Sequence, residues 1–266
     1  MDTSQQQIAQ LEWANYAATL PIAQVTPGLE IRLSEEVIIT SNAFFPYLDV
    51  THACLLRATP KTVEPLIDRV IDYFQARTLP TTIFVSPACT PSDLPERLSR
   101  RGFVKNEGEE AWLIWPNLGQ TVVPPLEPTI KVKVVSQADV PLFIETMTLV
   151  FEMPADFAPY LVQLTEPSVG LPGVYHYLAL VDDQRVGTCS LIFCGGYGII
   201  GGVGVIPAYR GSRAARGMTI CVAREAQTQQ VETLLLQTAS AAPLERFLRM
   251  MGFKKIFTRT SYTLHE

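Results

Sequence analysis

The residues of this chain with the clearest chemistry lie in one segment, Val203–Met218, where a strand pattern runs into a turn and then a long helix pattern. The first backbone N–H groups of a helix have no partner within the helix and carry partial positive charge, so they suit a phosphate group. The small residues at this start, Gly211, Ser212, Ala214 and Ala215, would let a ligand approach the backbone. The pattern predicts a phosphate-binding loop that opens a helix.

Three arginines, Arg210, Arg213 and Arg216, recur every three residues at the same helix start. A cation at a helix N-terminus is unfavourable by about 0.3–1 kcal/mol, and the whole chain carries a formal charge of −5. An anionic ligand between the arginines would resolve this conflict. The alternative is that all three side chains point into solvent.

Strand and helix patterns alternate in the C-terminal part of the chain and must position this loop. The predicted strands cover 130–135, 175–181, 186–193, 199–206, 233–236 and 257–264, and the predicted helices cover 139–151, 156–164, 212–230 and 243–251. The two strands around 182–185 are expected to form a hairpin. The glycines within 199–206 predict a bulge or a close backbone approach, with plain flexibility as the alternative.

A proline-rich stretch divides the chain, because 116–128 holds four prolines in 13 residues. Proline breaks helices and cannot donate to a sheet. The composition therefore predicts two domains, at 1–116 and 129–266, joined by a linker at 117–128.

The two halves resemble each other under a shift of 150 residues. The matched pairs are Val70 with Ile220, Val85 with Leu235, Leu94 with Leu244, Leu98 with Leu248, and Gly102-Phe103 with Gly252-Phe253. Chance matching of common apolar residues is the alternative, but the ungapped match favours an internal repeat. The first copy would run from about residue 11 to 115 and would be shorter at its front.

Composition excludes several function classes. Hydrophobic residues make up 47% of the chain and charged residues 18%, which is enough apolar material for a core. The apolar runs are far shorter than the roughly 20 residues of a membrane span, and Met1–Gln10 lacks signal-peptide features, so a cytoplasmic location and no membrane partner are expected. With 21 Lys and Arg against 26 Asp and Glu and no Lys/Arg run of five residues, nucleic-acid binding is not expected.

Cysteine and histidine usage argues against a metal site and a disulfide framework. The five cysteines form no C-x-x-C pair, and the three histidines lie far apart in the sequence. We therefore expect no metal, and we interpret the cysteines as buried thiols that behave as small apolar groups.

The segment from Val205 to Ala215 resembles the motif of the GNAT superfamily of acyl-CoA-dependent N-acetyltransferases. That motif is Val-x-Pro-x-x-Arg followed by Arg/Gln-x-x-Gly-x-Gly/Ala, and this chain has Val-Ile-Pro-Ala-Tyr-Arg and then Arg-Gly-Ser-Arg-Ala-Ala. The final Met251-Gly252-Phe253 and the hairpin at 181–187 are also similar to the family. The resemblance covers about residues 129–264, and the N-terminal part resembles a degenerate second copy. It implies an α/β fold of the α+β type with two tandem GNAT-like domains, each a mixed, mostly antiparallel sheet flanked by helices.

The resemblance implies an acyl-CoA-dependent N-acyltransferase, with acetyl transfer from acetyl-CoA to an amine by direct attack. Loop amides would hold the pyrophosphate of coenzyme A, backbone groups on the preceding strand would pair with the pantetheine arm, and a strand N–H would polarise the thioester carbonyl. The residues implied in cofactor binding are Val203, Val205, Arg210, Gly211, Ser212, Arg213, Ala214 and Ala215. The partner would be a small-molecule or peptide amine, and the protein a monomer or homodimer.

The sequence departs from the family pattern in three features. Arg213 replaces a motif glycine and would either narrow the loop or offer its guanidinium to phosphate. Gly201 and Gly202 stand where the family often has a carboxylate base, and Leu248 stands where it often has a tyrosine acid. No catalytic residue is assigned, and the candidates for proton handling are Ser240, Tyr262, Tyr175 and Glu152. The alternative function is a catalytically silent coenzyme A-binding sensor or interaction module.

The N-terminal copy lacks the features of a phosphate loop. Under the same shift, Pro60–Pro65 matches the loop, and there Glu64 would repel a phosphate while Pro65 offers no N–H. We expect this half not to bind coenzyme A, and to complete the sheet packing or shape the acceptor pocket. Trp112 and Trp115 are expected to make core or interdomain contacts, with acceptor lining as the alternative.

The acceptor is expected near 151–164 and Ser240. The carboxylates of Glu152, Asp156 and Glu166 would attract an amine there, or they are solvated surface groups.

Overall fold

The structure is a computed structural model that describes residues 3–45, 47–48 and 50–265. The helices are α1 (Thr3–Val25), α2 (Val63–Gln75), α3 (Leu94–Arg100), α4 (Val140–Val150), α5 (Ala158–Thr165), α6 (Ala214–Thr228) and α7 (Pro243–Met250). The strands are β1 (Leu29–Leu33), β2 (Ile38–Asn42), β3 (His52–Cys54), β4 (Thr82–Val85), β5 (Phe103–Lys105), β6 (Glu110–Trp115), β7 (Ile130–Val134), β8 (Val174–Val181), β9 (Gln184–Cys194), β10 (Tyr197–Val205), β11 (Thr233–Ala239) and β12 (Lys254–Leu264). Within these residues, no helix combines the length and the apolar character that crossing a membrane needs.

One sheet runs through both halves in the order β1-β2-β3-β4-β12-β6-β11-β10-β9-β8-β7, and β5 pairs with β12. Strands β3 and β4 are parallel, as are β10 and β11, whereas the other pairs are antiparallel. The two parallel pairs occupy equivalent places in the halves, because Val85 of β4 and Leu235 of β11 are 150 residues apart. This confirms the predicted fold class, a mixed, mostly antiparallel sheet flanked by helices in two similar copies, with the sheets of the two copies joined into one.

The two halves exchange strands. Strand β6 belongs to the N-terminal half in sequence, but Leu113 on it pairs with Leu236 on one side and Lys255 on the other. Conversely, the end of β12 lies between two N-terminal strands, where Tyr262 pairs with both Ile83 and Lys105. Each half therefore completes the sheet of the other.

Helices cover both faces of this sheet. Successive residues of a strand point to opposite faces, so Ile114 and Leu235 pack with α1 whereas Leu113 and Leu236 pack with α6 and α7. Helices α4 and α5 pack on the same face as α1, with Leu178 of β8 beneath them. In the N-terminal half, α2 and α3 cover the face opposite α1. We call the side that α1, α4 and α5 cover the α1 face.

The repeat extends to backbone detail. Helices α3 and α7 are both followed by a glycine with positive φ, +86° at Gly102 and +109° at Gly252, a conformation that glycine adopts without steric cost. A phenylalanine follows in each half, as predicted. The N-terminal copy begins earlier than the expected residue 11, because α1 starts at Thr3.

The proline-rich linker contains a short 3-10 turn, Leu118–Gln120, and otherwise neither helix nor strand. It lies along α6. The Gln227 side chain donates to the Leu118 carbonyl at 2.8 Å, and the Arg224 side chain donates to the Pro124 carbonyl at 2.9 Å. A Cβ added to Gly217 would come within 2.5 Å of Ile130, just after the linker. Close packing therefore fixes this segment against the helix.

Candidate functional site

Strands β10 and β11 separate in the middle of the C-terminal sheet. Their parallel ladder ends at the pair Ile200 and Leu236. Beyond that pair, β10 continues to Val205 against β9, and β11 continues to Ala239 against β6. Among the described residues, the β11-facing edge of 201–205 has no strand partner. Unpaired strand edges present N–H and C=O groups in a row, so this edge can pair with an extended ligand.

The free edge is shaped by a bulge. The register with β9 shifts between Gly201 and Gly204, and Gly202 has a φ of +55°. The Thr188 hydroxyl donates to the Gly202 carbonyl at 2.9 Å. A Cβ on Gly204 would lie only 2.3 Å from Val150, at the end of α4. Both predicted meanings of these glycines, a bulge and a close approach, are confirmed.

The segment after β10 forms the predicted turn into a helix. A 3-10 turn spans Pro207–Tyr209, and the Ser212 N–H donates to the Tyr209 carbonyl at 3.0 Å. Gly211 and Arg213 both have positive φ, +96° and +67°. These left-handed residues delay α6, which begins at Ala214 rather than at the predicted Ser212. We call Arg210–Ala215 the phosphate loop.

The start of α6 has polar groups that lack partners. No side chain caps the helix at Arg213, so its first backbone N–H groups have no side-chain acceptor from that residue. The Ser212 hydroxyl is buried and has no hydrogen-bond partner among the described residues. Ala214 is buried behind the loop, and Gly211 is exposed. Such an arrangement fits an anion that accepts several hydrogen bonds.

Carboxylates pair with two of the three arginines. Arg213 Nη1 lies 2.9 Å from Glu127 Oε2 of the linker, and Arg210 Nη2 lies 3.5 Å from Glu152 Oε2. The arginine side chains are 69% and 61% exposed. Exposed ion pairs contribute about 0–1 kcal/mol, so an incoming phosphate can replace either carboxylate at little cost. Arg216 is exposed on the first turn of α6.

The four candidates for proton handling lie in different places. Glu152 pairs with Arg210 beside the phosphate loop, and Ser240 directly follows β11, with its N–H bonded to the Glu109 carbonyl at 2.8 Å. Tyr175 stacks on Tyr177 near the start of β8. Tyr262 lies in the N-terminal core with α2 and α3. The structure thus brings only the first two of these four close to the loop or to the end of β11.

The family positions for a base and an acid carry neither. Gly201 is exposed, and no described atom lies within 4 Å of where its Cβ would be. Leu248 is 1% exposed and packs in the core with α6.

A buried polar cluster, which the sequence did not reveal, lies under α1: Glu12, Tyr16, His52, Glu110 and Arg259. The Arg259 guanidinium hydrogen-bonds to Glu110, donates to the Tyr16 hydroxyl at 2.9 Å and lies 3.7 Å from Glu12. Burial raises the pKa of Glu12 to about 7 and lowers that of His52 to about 3. The available signal was alternation in β12, since Arg259 shares a face with the buried Phe257.

The histidines and cysteines fill structural roles. His176 is buried between the Ser168 and Ser190 hydroxyls, at 2.9 and 2.7 Å. All five cysteines are free; Cys54, Cys89 and Cys189 are buried as predicted, whereas Cys194 and Cys221 are only partly buried. The described part of the chain has no group of three or more side chains placed to hold a metal ion.

In the N-terminal half, the gap that corresponds to the one between β10 and β11 is closed by hydrogen bonds. There, β3 and β4 are held together beyond their ladder, because the Thr90 N–H donates to the Leu56 carbonyl at 2.9 Å and the Ala58 N–H donates to the Thr90 carbonyl at 3.2 Å. Among the described residues, these bonds close the gap between the two segments, and the absence of coenzyme A binding by this half stays a prediction. Trp112 stacks on Phe257 and Trp115 lies against Phe253, which confirms contacts between the halves.

The region expected for the acceptor meets the N-terminal half. Phe157 and Tyr160 contact the ring of Phe45, each with ring centroids 5.7 Å apart. Asp156 and Glu166 are exposed. The N-terminal half therefore contributes an aromatic wall beside α5.

The chain matches known proteins in sequence over one half and in structure over both. The Acetyltransferase (GNAT) family model matches residues 144–253. Among curated protein sequences, no significant match is found.

Solved structures match the whole chain. A GCN5-related N-acetyltransferase from Kribbella flavida superposes with a TM-score of 0.72 at 14% identity, covering 100% of this chain and 97% of that one. A GCN5-related N-acetyltransferase from Sphaerobacter thermophilus has a TM-score of 0.62 at 17% identity, covering 97% and 92%. A tandem GNAT protein from the clavulanic acid biosynthesis pathway has a TM-score of 0.63 at 12% identity, covering 98% and 95%.

These findings agree with the local geometry of the diverging strands and the phosphate loop. The family match indicates acyl-transfer chemistry in general, and the likeness to tandem structures extends the fold to the N-terminal half. Residues 144–253 therefore match the GNAT acetyltransferase family, and the whole chain has the fold of the tandem GNAT structure.

Proposed function

We propose that this protein transfers an acyl group, most simply acetyl, from an acyl-coenzyme A to an amine, at one site in the C-terminal half. The observation that carries the proposal is the free edge of Gly201–Val205, which leads directly into the uncapped start of α6. An extended chain with a phosphate at one end matches an open strand edge followed by a helix N-terminus. Coenzyme A has this form.

The residues present fit the cosubstrate. The N–H groups of Gly211 and of Arg213–Ala215, together with the unpartnered Ser212 hydroxyl, would hold the pyrophosphate. Arg213 would exchange Glu127 for a phosphate oxygen, since the side chain is already at the loop. Backbone groups near Val203 and Val205 would pair with the pantetheine arm. When bound, acetyl-CoA would supply the acyl group as a thioester; as the C–N bond forms and the C–S bond breaks, coenzyme A would leave as the thiol with the proton that the amine loses.

The chain contributes positioning rather than a covalent step. An N–H on the free edge would donate to the thioester carbonyl oxygen, where negative charge develops as the amine attacks. The bulge shapes this edge, and Gly204 within it leaves no room for a side chain against Val150. Alignment of the two reactants supplies the rest of the rate gain. The acceptor would be a small-molecule or peptide amine, and the protein a monomer or homodimer.

Calorimetric titration with acetyl-CoA tests the cofactor site. We expect saturable binding by the wild type and at least tenfold weaker binding by Arg213→Glu, which places a carboxylate in the phosphate loop. Lys61→Glu is the matched control, since Lys61 is exposed and lies 150 residues before Gly211, in the equivalent N-terminal segment. It should bind like the wild type. A folded wild type that does not bind acetyl-CoA would overturn the proposal.

A second function, a silent coenzyme A-binding module, is favoured by one observation. The positions where the family often has a base and an acid hold no ionisable group, because they are occupied by Gly201, Gly202 and the buried Leu248. Thiol release from acetyl-CoA across a panel of amines separates the two functions. Release that depends on an amine supports the transferase, whereas binding without release on any amine supports the silent module.

A further inference from the structure

Strand exchange brings a carboxylate of the N-terminal half to the C-terminal site. Glu110 begins β6 and pairs with Ala239, the last residue of β11. This pair lies three residues beyond Leu236, where β10 and β11 separate. Alternation places Glu110 on the face of Trp112 and Ile114, which is the α1 face. Glu110 thus stands beside the opening between β10 and β11.

The surface between Glu110 and the bulge is open. Ala239 is exposed and carries only a methyl group, and Gly201 has no described atom near its would-be Cβ. Gln237 shares this face, but its side chain is bonded to Asn15 of α1 at 2.7 Å. The side chains of these strands therefore leave the space in front of the carboxylate free.

The carboxylate is held in one orientation. Arg259 Nε and Trp112 Nε1, the latter at 2.8 Å, both donate to Glu110 Oε2. The Glu110 side chain is 25% exposed, whereas Arg259 is 4% and Glu12 is 0% exposed. Glu110 is therefore the member of the buried cluster that meets solvent, and its partners fix one oxygen while the group remains accessible.

The charge of the cluster favours a cation. Two carboxylates, Glu110 and Glu12, share the one guanidinium of Arg259. Because burial raises the pKa of Glu12 to about 7, the cluster has one net negative charge above that pH. A cation at the accessible side of Glu110 balances that charge.

We propose that Glu110, a residue of the N-terminal half, binds the ammonium group of the acceptor at the C-terminal site. Arg259 and Trp112 are positioning residues that orient Glu110. The identification of the cation as the acceptor rests on the proposed function, whereas ammonium binding at Glu110 does not.

The indole N–H resonance of Trp112 reports the site directly, because this group donates to Glu110. The full chain, labelled with ¹⁵N, is titrated with n-butylammonium and separately with n-butanol, and Trp112→Phe assigns the resonance. We expect a saturable shift with butylammonium and none with butanol. Trp13 and Trp115 provide indole resonances that should stay in place.

Substitutions distinguish the loss of the Glu110 charge from a loss of folding. Glu110→Gln should weaken butylammonium binding at least tenfold, while Glu109→Gln, its exposed neighbour, should leave binding unchanged. Ala239→Lys keeps the buried cluster and places a tethered ammonium opposite Glu110, so it should also abolish the shift even if Glu110→Gln does not fold. An unmoved Trp112 resonance, or equal binding by Ala239→Lys, overturns the inference.

Failure of this inference and failure of the proposed function are distinguishable. Acetyl-CoA binding by calorimetry is measured on the same samples, and Ala239→Lys should bind acetyl-CoA within threefold of the wild type. A protein that binds acetyl-CoA but not butylammonium retains the proposed function and loses this inference. A protein that binds butylammonium but not acetyl-CoA shows the reverse.

Discussion

Arg213, the residue before α6, and Glu127, in the linker, form an ion pair of 2.9 Å between Nη1 and Oε2. The pair joins the connection between the two halves to the loop proposed to bind phosphate. Arg213 makes this contact from a left-handed backbone conformation, with φ 67° and ψ 3°.

That conformation predicts different stabilities for two substitutions of Arg213. Left-handed backbone costs a residue with a Cβ about 1–2 kcal/mol and costs glycine little. Both variants lose the same exposed ion pair, so Arg213→Gly should be more stable than Arg213→Ala by about 1–2 kcal/mol. Urea denaturation measures the difference in free energy of unfolding. Equal stability of the two variants would mean that the backbone at 213 is not left-handed in solution.

Packing of the linker on α6 predicts a cost at Gly217. A methyl group there would lie 2.5 Å from Ile130 and 3.2 Å from Leu126. Gly217→Ala should therefore lower the free energy of unfolding by about 1–3 kcal/mol. Gly119→Ala is the control, since Gly119 lies in the same linker and no described atom is within 4 Å of its would-be Cβ. If both variants match the wild type, the linker does not lie on α6.

The bulge in β10 predicts that alanine is tolerated at Gly201 but not at Gly204. Gly204→Ala would place a methyl group 2.3 Å from Val150 and push α4 away from β10. We expect a loss of stability of about 1–3 kcal/mol and weaker acetyl-CoA binding, measured by thermal unfolding and calorimetry. Gly201→Ala meets open space and should keep the stability of the wild type. A stable Gly204→Ala that binds normally would contradict the close approach.

Two buried groups predict opposing pH dependences of stability. The pKa of Glu12 is raised to about 7 from 4.5, so its contribution is fully present below pH 4.5 and is lost as the pH rises toward 7. The pKa of His52 is lowered to about 3 from 6.5, so its contribution is present above pH 6.5 and is lost as the pH falls. Between pH 4.5 and 6.5 the two nearly cancel.

Replacing one of the two groups leaves the pH dependence of stability that the other causes. Glu12→Gln leaves the histidine, so stability should rise with pH by up to about 1.4 kcal/mol per pH unit between pH 5 and 6.5. His52→Gln leaves the carboxyl, so stability should fall with pH by a similar amount. Denaturant unfolding at several pH values measures both slopes. Slopes of the same sign in the two variants would refute this assignment.

Local sequence patterns predicted the elements of the C-terminal half well. The apolar alternation and turn signals predicted the strands β7 to β11 and the helices α4 to α7. The 150-residue shift paired Gly102 with Gly252, and the two glycines share a backbone conformation. These features depend on residues close together in the chain. The start of α6 was predicted two residues early, because a left-handed arginine is unusual and has no sequence signal.

Features that depend on pairing between distant segments could not be predicted. The hydrophobic pattern of β6 or β12 shows that each is a buried strand, but it does not show which strand lies beside it. The ion pair between Arg259 and Glu110 spans 149 residues and exists only because these strands adjoin. The sequence therefore predicted the phosphate loop of the candidate site, but it did not predict the place of Glu110 on the acceptor side.

Because β6 and β12 are exchanged between the halves, cutting the chain in the linker would leave the sheet of each fragment incomplete. A fragment that ends in the linker would keep β4 and β5 but lack the end of β12 that fills the place between them. The complementary fragment would lack β6 between β11 and β12. Neither piece can close its own sheet, yet each carries the strand that the other needs. Split in the linker, this protein should behave as a pair of complementing fragments that fold on meeting.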